Sequence, residues 1–256
     1  MDFSQPEPLT CVLLTLAGFA GGFIDAIAGG GGLITVPALL AAGLPPQLAL
    51  GTNKLQSACG TLIAVRRYAR AGLLRTPGLP LAVICSLLAG AAGAWMVHQA
   101  PADVLKKVIP WMLAAVAFYT AWNRKFGMTP GTAKVPAAAF AVTGGGLLGF
   151  YDGFFGPGTG SFWTVGAVGL LGLDLRHATG YTKAVNLASN VGALVLFLSV
   201  GSVAPLAAAW MILGQLAGAR LGSGLVVTRG LSIIRPVFLT VVLALTAKLL
   251  WDAWAL

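Results

Sequence analysis

The sequence predicts an all-α, polytopic integral membrane protein built from two inverted-topology repeats with broken or re-entrant helices. Hydrophobic residues make up 57% of the chain and charged residues only 9%, against roughly 25% charged in a soluble domain. The mean hydropathy is +0.87, and apolar stretches run along the whole chain without a polar domain. A set of glycine and polar motifs in the first half also returns, in the same order, in the second. Spans are the natural unit of such a chain, because a helix needs about 20 largely apolar residues to cross the hydrocarbon core.

Residues 9–28 form the first expected span. The residues before it lack a basic cluster, so it is expected to stay in the mature protein rather than act as a cleaved signal. Two shorter pieces follow, 33–43 and 53–68, flanked by glycines and polar residues. These read as broken or re-entrant helices, which are tolerated at membrane depth only where protein or a wet cavity satisfies their backbone groups. Spans at 77–98 and 105–122 complete a first repeat, residues 1–123. A basic linker, 124–135, with Arg124, Lys125 and Lys134, is expected in the cytoplasm. The second repeat, 136–256, has spans at 136–155, 183–203, 206–227 and 231–251, with a third short piece at 160–173. This division puts Lys183 at a helix start.

The repeat rests on four matched features. Asp152 with its glycine run follows Asp25 with its own by 127 positions. Gly180-Tyr181-Thr182-Lys183 follows Gly51-Thr52-Asn53-Lys54 by 129, Gly218-Ala219 follows Gly93-Ala94 by 125, and Pro236 follows Pro110 by 126. Features in one order at nearly constant offset mark an internal repeat, a pattern frequent in transporters. Charge then sets its sense. The loop with Arg66, Arg67, Arg70 and Arg75 is basic, whereas its counterpart at 201–205 is uncharged, so the two are expected on opposite sides. Arg229 and Arg235 mark another cytoplasmic loop, and the N-terminus, with Asp2 and Glu7, is expected outside. Lys106 and Lys107 then fall outside and fit this path poorly.

The net charge of +9 therefore reports orientation in the bilayer, and no nucleic-acid partner is expected. Cys11, Cys59 and Cys85 lie far apart in apolar stretches, which argues against disulfides or a zinc site. His98 and His177 have no partner at metal-ligand spacing, no nucleophile with a base can be assembled, and the glycine runs lack the G-K-[ST] of a P-loop. The chain thus reads as a non-enzyme without cofactor or metal, whose partners are the lipid bilayer and a small solute.

Ionisable groups inside a membrane cost several kcal/mol, so Asp25, Lys54, Asp152 and Lys183 need a reason. For the lysines, an ammonium beside Asn and Ser donors suits a desolvated oxyanion. Asp25 and Asp152 are candidate proton carriers; the alternative is that the aspartates cap helices or form structural ion pairs. Gln56 and Ser57 follow Asn53, and Ser189 and Asn190 follow Asn186, by three and four residues, and Ser57 and Asn186 each lie three after a lysine, a spacing expected to place them with the lysines on one helix face. Thr52 and Thr182 flank the same sites. The glycine runs, including Gly30, Gly31 and Gly158 with Thr159, can present backbone N–H groups to an anion near a positive helix end, or else pack helices closely. Gly90, Gly93, Gly214 and Gly218 read as packing residues. Trp163 and Tyr181 pack either against the solute or in the core, the latter favoured.

The Gly21-Gly22-Phe23-Ile24-Asp25 segment with its glycine run, Gly51-Thr52-Asn53-Lys54-Leu55, the Tyr68-Ala69-Arg70-Ala71-Gly72 tail and Lys183-Ala184-Val185-Asn186-Leu187-Ala188-Ser189-Asn190 resemble the sulfite exporter TauE/SafE family over nearly the whole chain. In the second half Tyr181 stands where the family pattern has a small hydroxyl residue, a departure that bears on the shape of the pocket. The resemblance implies an inner-membrane permease of two related halves that moves sulfur oxyanions or organosulfonates such as sulfite or sulfoacetate. The expected function is secondary transport of a small anion, by alternating access at a site between the repeats. A passive anion channel and a non-transporting structural subunit are the alternatives.

Overall fold

A computed structural model describes residues 7–122 and 131–228, and every regular element among them is a helix. In chain order these are α1 (Pro8–Ala28), α2 (Gly32–Ala41), α3 (Pro46–Arg70), α4 (Leu79–Gln99), α5 (Ala102–Trp122), α6 (Ala137–Phe154), α7 (Thr159–Gly169), α8 (Leu175–Ser199) and α9 (Pro205–Thr228). The expected span at 231–251, Arg124, Lys125, Arg229 and Arg235 lie outside the described residues.

Local chemistry sets the boundaries. Proline opens α1 and α3, where its missing N–H costs nothing and its fixed φ suits the first turn. Gly29, at φ +68°, ends α1 in a backbone conformation that L side chains rarely adopt. Asp174 caps α8 by accepting hydrogen bonds from the backbone N–H groups of Arg176 and His177 at 2.9 and 3.1 Å. α1, α4, α8 and α9 are long and apolar enough to cross a membrane. α5 and α6 have 21 and 18 residues, but α5 opens on Asp103, Lys106 and Lys107, and α6 is rich in glycine and carries Asp152.

Two expectations need correction. The piece expected at 53–68 is the interior of a continuous 25-residue helix, α3, and Lys183 lies in the third turn of α8 rather than at its start. The polar residues that suggested a break are accommodated within the helix because they face other helices rather than lipid. The short pieces at 33–43 and 160–173 do correspond to short helices, α2 and α7, of 10 and 11 residues.

Glycines set the packing. Along α1, Thr15, Phe19 and Phe23 meet Gly214, Gly218 and Gly222 of α9 in step, so these two helices run in the same direction. Gly145, Gly149 and Gly153 of α6 likewise meet Cys85, Ser86 and Gly90 of α4. A methyl group at most of these glycines would collide with the neighbouring backbone, so Gly90, Gly93, Gly214 and Gly218 are packing residues. By contrast α3 and α8 are antiparallel: Gly51 near the start of α3 meets Ser202 just past α8, and Gly180 near the start of α8 meets Leu73 just past α3.

Burial is inverted relative to a soluble protein. Leu13, Leu16, Leu88, Trp95, Trp111, Phe118, Leu147 and Leu213 are exposed, while Thr52, Asn53, Lys54, Gln56, Asp152, Lys183 and Ser189 are buried. A surface of this kind is stable only in lipid. The protein is a membrane protein. One end gathers the loops at 71–78, 131–136 and 170–174, where Lys134 N–H donates to Leu170 O at 2.8 Å and Gly78 packs on Ala137. It carries Arg70, Arg75, Lys134 and Arg176. The opposite end joins 44–47, 100–101 and 202–204 through Gln47 Nε2 on Ala100 O and Ala204 N–H on Thr52 Oγ1, both 2.9 Å.

Candidate functional site

Four ionisable side chains from four helices converge where α1 and α6 end. Lys54 Nζ on α3 lies 3.0 Å from Asp152 Oδ1 on α6 and also donates to the Asp152 carbonyl. Lys183 Nζ on α8 lies 3.0 Å from Asp25 Oδ2 on α1. Each lysine is therefore paired with the aspartate of the other half of the chain. The geometry is the ion-pair arrangement weighed as the structural alternative for the aspartates, and the lysines are not free ammonium groups in this state. Both lysines are buried, where an unpaired charge would be costly.

The surroundings of the two carboxylates differ. Asp152 also accepts hydrogen bonds from Ser189 Oγ and, at 3.3 Å, from Asn186 Nδ2, and its side chain is 3% exposed. Asp25 accepts from Gly30 N–H at 3.3 Å and from Thr61 Oγ1 at 3.4 Å, and its side chain is 19% exposed. Lys183 Nζ sits in contact distance of Asp25 but makes no aligned hydrogen bond, and Asn186 Oδ1, one turn further along α8, is also buried without a partner.

A polar pocket opens beside these pairs. Its wall includes Asp25, Gly30, Asn53, Lys54, Ser57, Asp152, Gly156, Gly160, Asn186 and Asn190. The structure thus brings together Gly30, Asn53, Lys54, Asn186, Asn190, Asp25 and Asp152 of the expected set. It places Lys183 behind Asp25 rather than on the wall. Thr52 accepts from Ala204 N–H, Thr182 contacts Thr164 Oγ1 at 3.1 Å, and Thr159 donates to Gly156 O, so these hydroxyls hold helix ends and loops. Gly31 packs on Gly21 and on Asp25, and Gly158 on Val116; neither glycine is part of the wall itself. Tyr181 and Trp163 are fully buried against Phe140, so the tyrosine in the second lysine motif belongs to the core and is not on the pocket wall. The glycine runs meet each other: a Cβ on Gly29 would lie 2.5 Å from Gly160 Cα, and Ser161 Oγ donates to Gly29 O at 2.9 Å.

The family model described as sulfite exporter TauE/SafE matches residues 14–249. The chain belongs to the TauE/SafE family. Among its relatives, the probable membrane transporter protein YfcA of Escherichia coli K12 is 39% identical over 247 residues, which cover 96% of this chain and 92% of YfcA. The probable membrane transporter protein ORF9 of a Sinorhizobium species is 44% identical over 241 residues, covering 93% of this chain and 92% of that protein. A probable membrane transporter protein of Haemophilus influenzae is 38% identical over 240 residues, covering 94% of each. No solved structure matches this TauE/SafE chain.

Around the candidate site, Thr35 and Gln215 escaped sequence reasoning, which had already named Asn53 and Gln56. Thr35 Oγ1 donates to Asn53 Oδ1 at 2.6 Å and Gln56 Nε2 to the same oxygen at 2.7 Å, which orients the Asn53 amide toward the pocket. Gln215 of α9 is buried against Gly21, Gly22 and Gly60 with Oε1 unpartnered. A lone glutamine in an apolar helix was the signal available for it, since a buried amide in a membrane span needs partners.

Proposed function

We propose that this protein is a secondary transporter of small anions, moving sulfur oxyanions or organosulfonates such as sulfite or sulfoacetate across the cytoplasmic membrane. The observation that carries the reading is the pair of buried Lys–Asp contacts that cross between the two halves beside a pocket of asparagine amides and glycine backbone. Charges at membrane depth are expensive, and two reciprocal pairs at the meeting point of broken helices suit a solute path better than a mere packing contact. The relatives, named as probable membrane transporters, agree with transport, and the family's name supplies the sulfur chemistry.

The mechanism we propose is alternating access between two inverted halves, with domains at 1–123 and 136–256 joined by the linker 124–135. It is supported by the antiparallel exchange of ends between α3 and α8, the helices that carry the matched lysines. Two equivalent helices that run in opposite directions across a bilayer are related by an axis in the membrane plane. The basic end of the molecule then faces the cytoplasm and the N-terminus faces outside. Coupling enters through the carboxylates: Asp25 and Asp152 are the candidate proton carriers, and protonating the one that can release its lysine lets an anion and a proton occupy the site together without net charge.

The reading is tested in proteoliposomes by flux of sulfite and methanesulfonate with and without an imposed pH gradient. Saturable flux that responds to the gradient is expected. Single-channel conductance in planar bilayers would assign a channel instead, and a protein with neither flux nor solute-dependent thermal stability would be a structural subunit.

A further inference from the structure

The pocket wall as it stands offers an anion no unpaired cation. Asp25, Asp152 and Lys54 line it, two carboxylates against one ammonium, while Lys183 is hidden behind Asp25. An anion can gain a cation here only if one carboxylate yields its place. The two are not equally able to yield. Asp152 is held by Lys54, Ser189 and Asn186, and Lys54 is further anchored to the Asp152 backbone carbonyl, so the charged pair is locked on both sides. Asp25 is more exposed, and its other two hydrogen bonds are long, at 3.3 and 3.4 Å. Its partner Lys183 has no aligned hydrogen bond and is fully buried, and Asn186 Oδ1 beside it on α8 is also without a partner.

We infer that Lys183 is the cation that receives the transported anion and that Asp25 is its built-in, displaceable counter-ion, whereas Lys54–Asp152 is a fixed strut between the halves. When Asp25 turns away, Lys183 is left to face the pocket without its counter-ion. The empty carrier then keeps Lys183 neutralised, which avoids leaving a bare ammonium at membrane depth. The inference rests on the proposed transport of anions and adds which lysine binds and what competes with the solute.

A missing internal carboxylate should be replaceable by an external oxyanion at one pair and not at the other. The full chain in detergent is compared as wild type, Asp25→Asn and Asp152→Asn, with sodium methanesulfonate as probe because its charge is constant across working pH. Sodium gluconate at equal ionic strength controls for salt. Asp25→Asn is expected to melt lower than wild type in gluconate and to recover most of the loss in methanesulfonate. Its methanesulfonate affinity should be roughly tenfold tighter than wild type, since the competing conformer no longer holds back the binding-competent fraction. Asp152→Asn should lose stability without recovery. Equal responses of the two variants, recovery of Asp152→Asn alone, or an Asp25→Asn protein that methanesulfonate fails to recover overturns the inference. Absence of methanesulfonate and sulfite flux in wild-type proteoliposomes overturns the proposed function separately, and recovery of Asp25→Asn would still be read in that case.

Discussion

The two buried ion pairs have the same N···O distance and opposite character. Lys54–Asp152 is sealed at 1% and 3% side-chain exposure and surrounded by further donors, whereas Lys183–Asp25 joins a fully buried ammonium to a carboxylate 19% exposed to the pocket. Equal distance does not mean equal function. What distinguishes them is how many other groups hold each carboxylate, because a charge with several hydrogen-bond partners cannot leave without stranding them.

The largest effect expected from breaking this contrast is on the sealed side. Asp152→Asn leaves Lys54 without its counter-charge and is expected to cost about 3–5 kcal/mol of stability, read as a lowered denaturation midpoint in detergent. On the open side, Lys183→Ala is expected to leave folding largely intact, since Asp25 can be hydrated from the pocket. Its anion flux in proteoliposomes should fall by roughly a hundredfold, close to 3 kcal/mol of lost transition-state stabilisation. Near-normal flux in this variant would remove Lys183 from the path. Gly160→Ala probes the surface on which both pairs converge. Its methyl group meets Gly29 Cα at 2.5 Å, and the overpacking should cost about 1–3 kcal/mol and slow flux.

The smallest effect concerns the helices that carry the lysines. Asp174 caps α8 with its side chain, whereas Pro45 before α3 makes no such cap. Asp174→Ala should cost about 1 kcal/mol, and Pro45→Ala should cost less. Burial pushes the Asp174 carboxyl upward, but the hydrogen bonds and charge of His177 outweigh it and hold the group below its ordinary value. Because the folded protein lowers this pKa, the cap contributes fully above the ordinary carboxylate range and is lost as acid protonates it. A melting curve that Asp174→Ala shifts equally at acidic and neutral pH would exclude this contribution.

Much of the fold was legible because apolar length is a strong signal: α1, α4 and α9 begin and end within two residues of the expected spans. α2 and α7 were legible from the glycines before them. α3 and the start of α8 were not, because Gly51-Thr52-Asn53-Lys54 and its counterpart look like breaks in a chain judged by hydropathy alone. Their polarity faces neighbouring helices, and only tertiary contact reveals that. The four charged residues of the site could be named from the sequence. Their pairing could not: Lys54 and Asp152 are 98 positions apart, and no local spacing states which aspartate meets which lysine.

The antiparallel course of α3 and α8 has an electrical consequence. Each helix sums peptide dipoles of about 3.5 D along its axis, and each places its lysine in the third turn of 25 residues. Opposed side by side, their axial fields largely cancel at the pocket. These two helices therefore add little axial field of their own at that depth. In the proposed transporter the direction of net movement is set by the gradients outside, including the membrane voltage, which acts with about 2.3 kcal/mol per unit charge for each 100 mV.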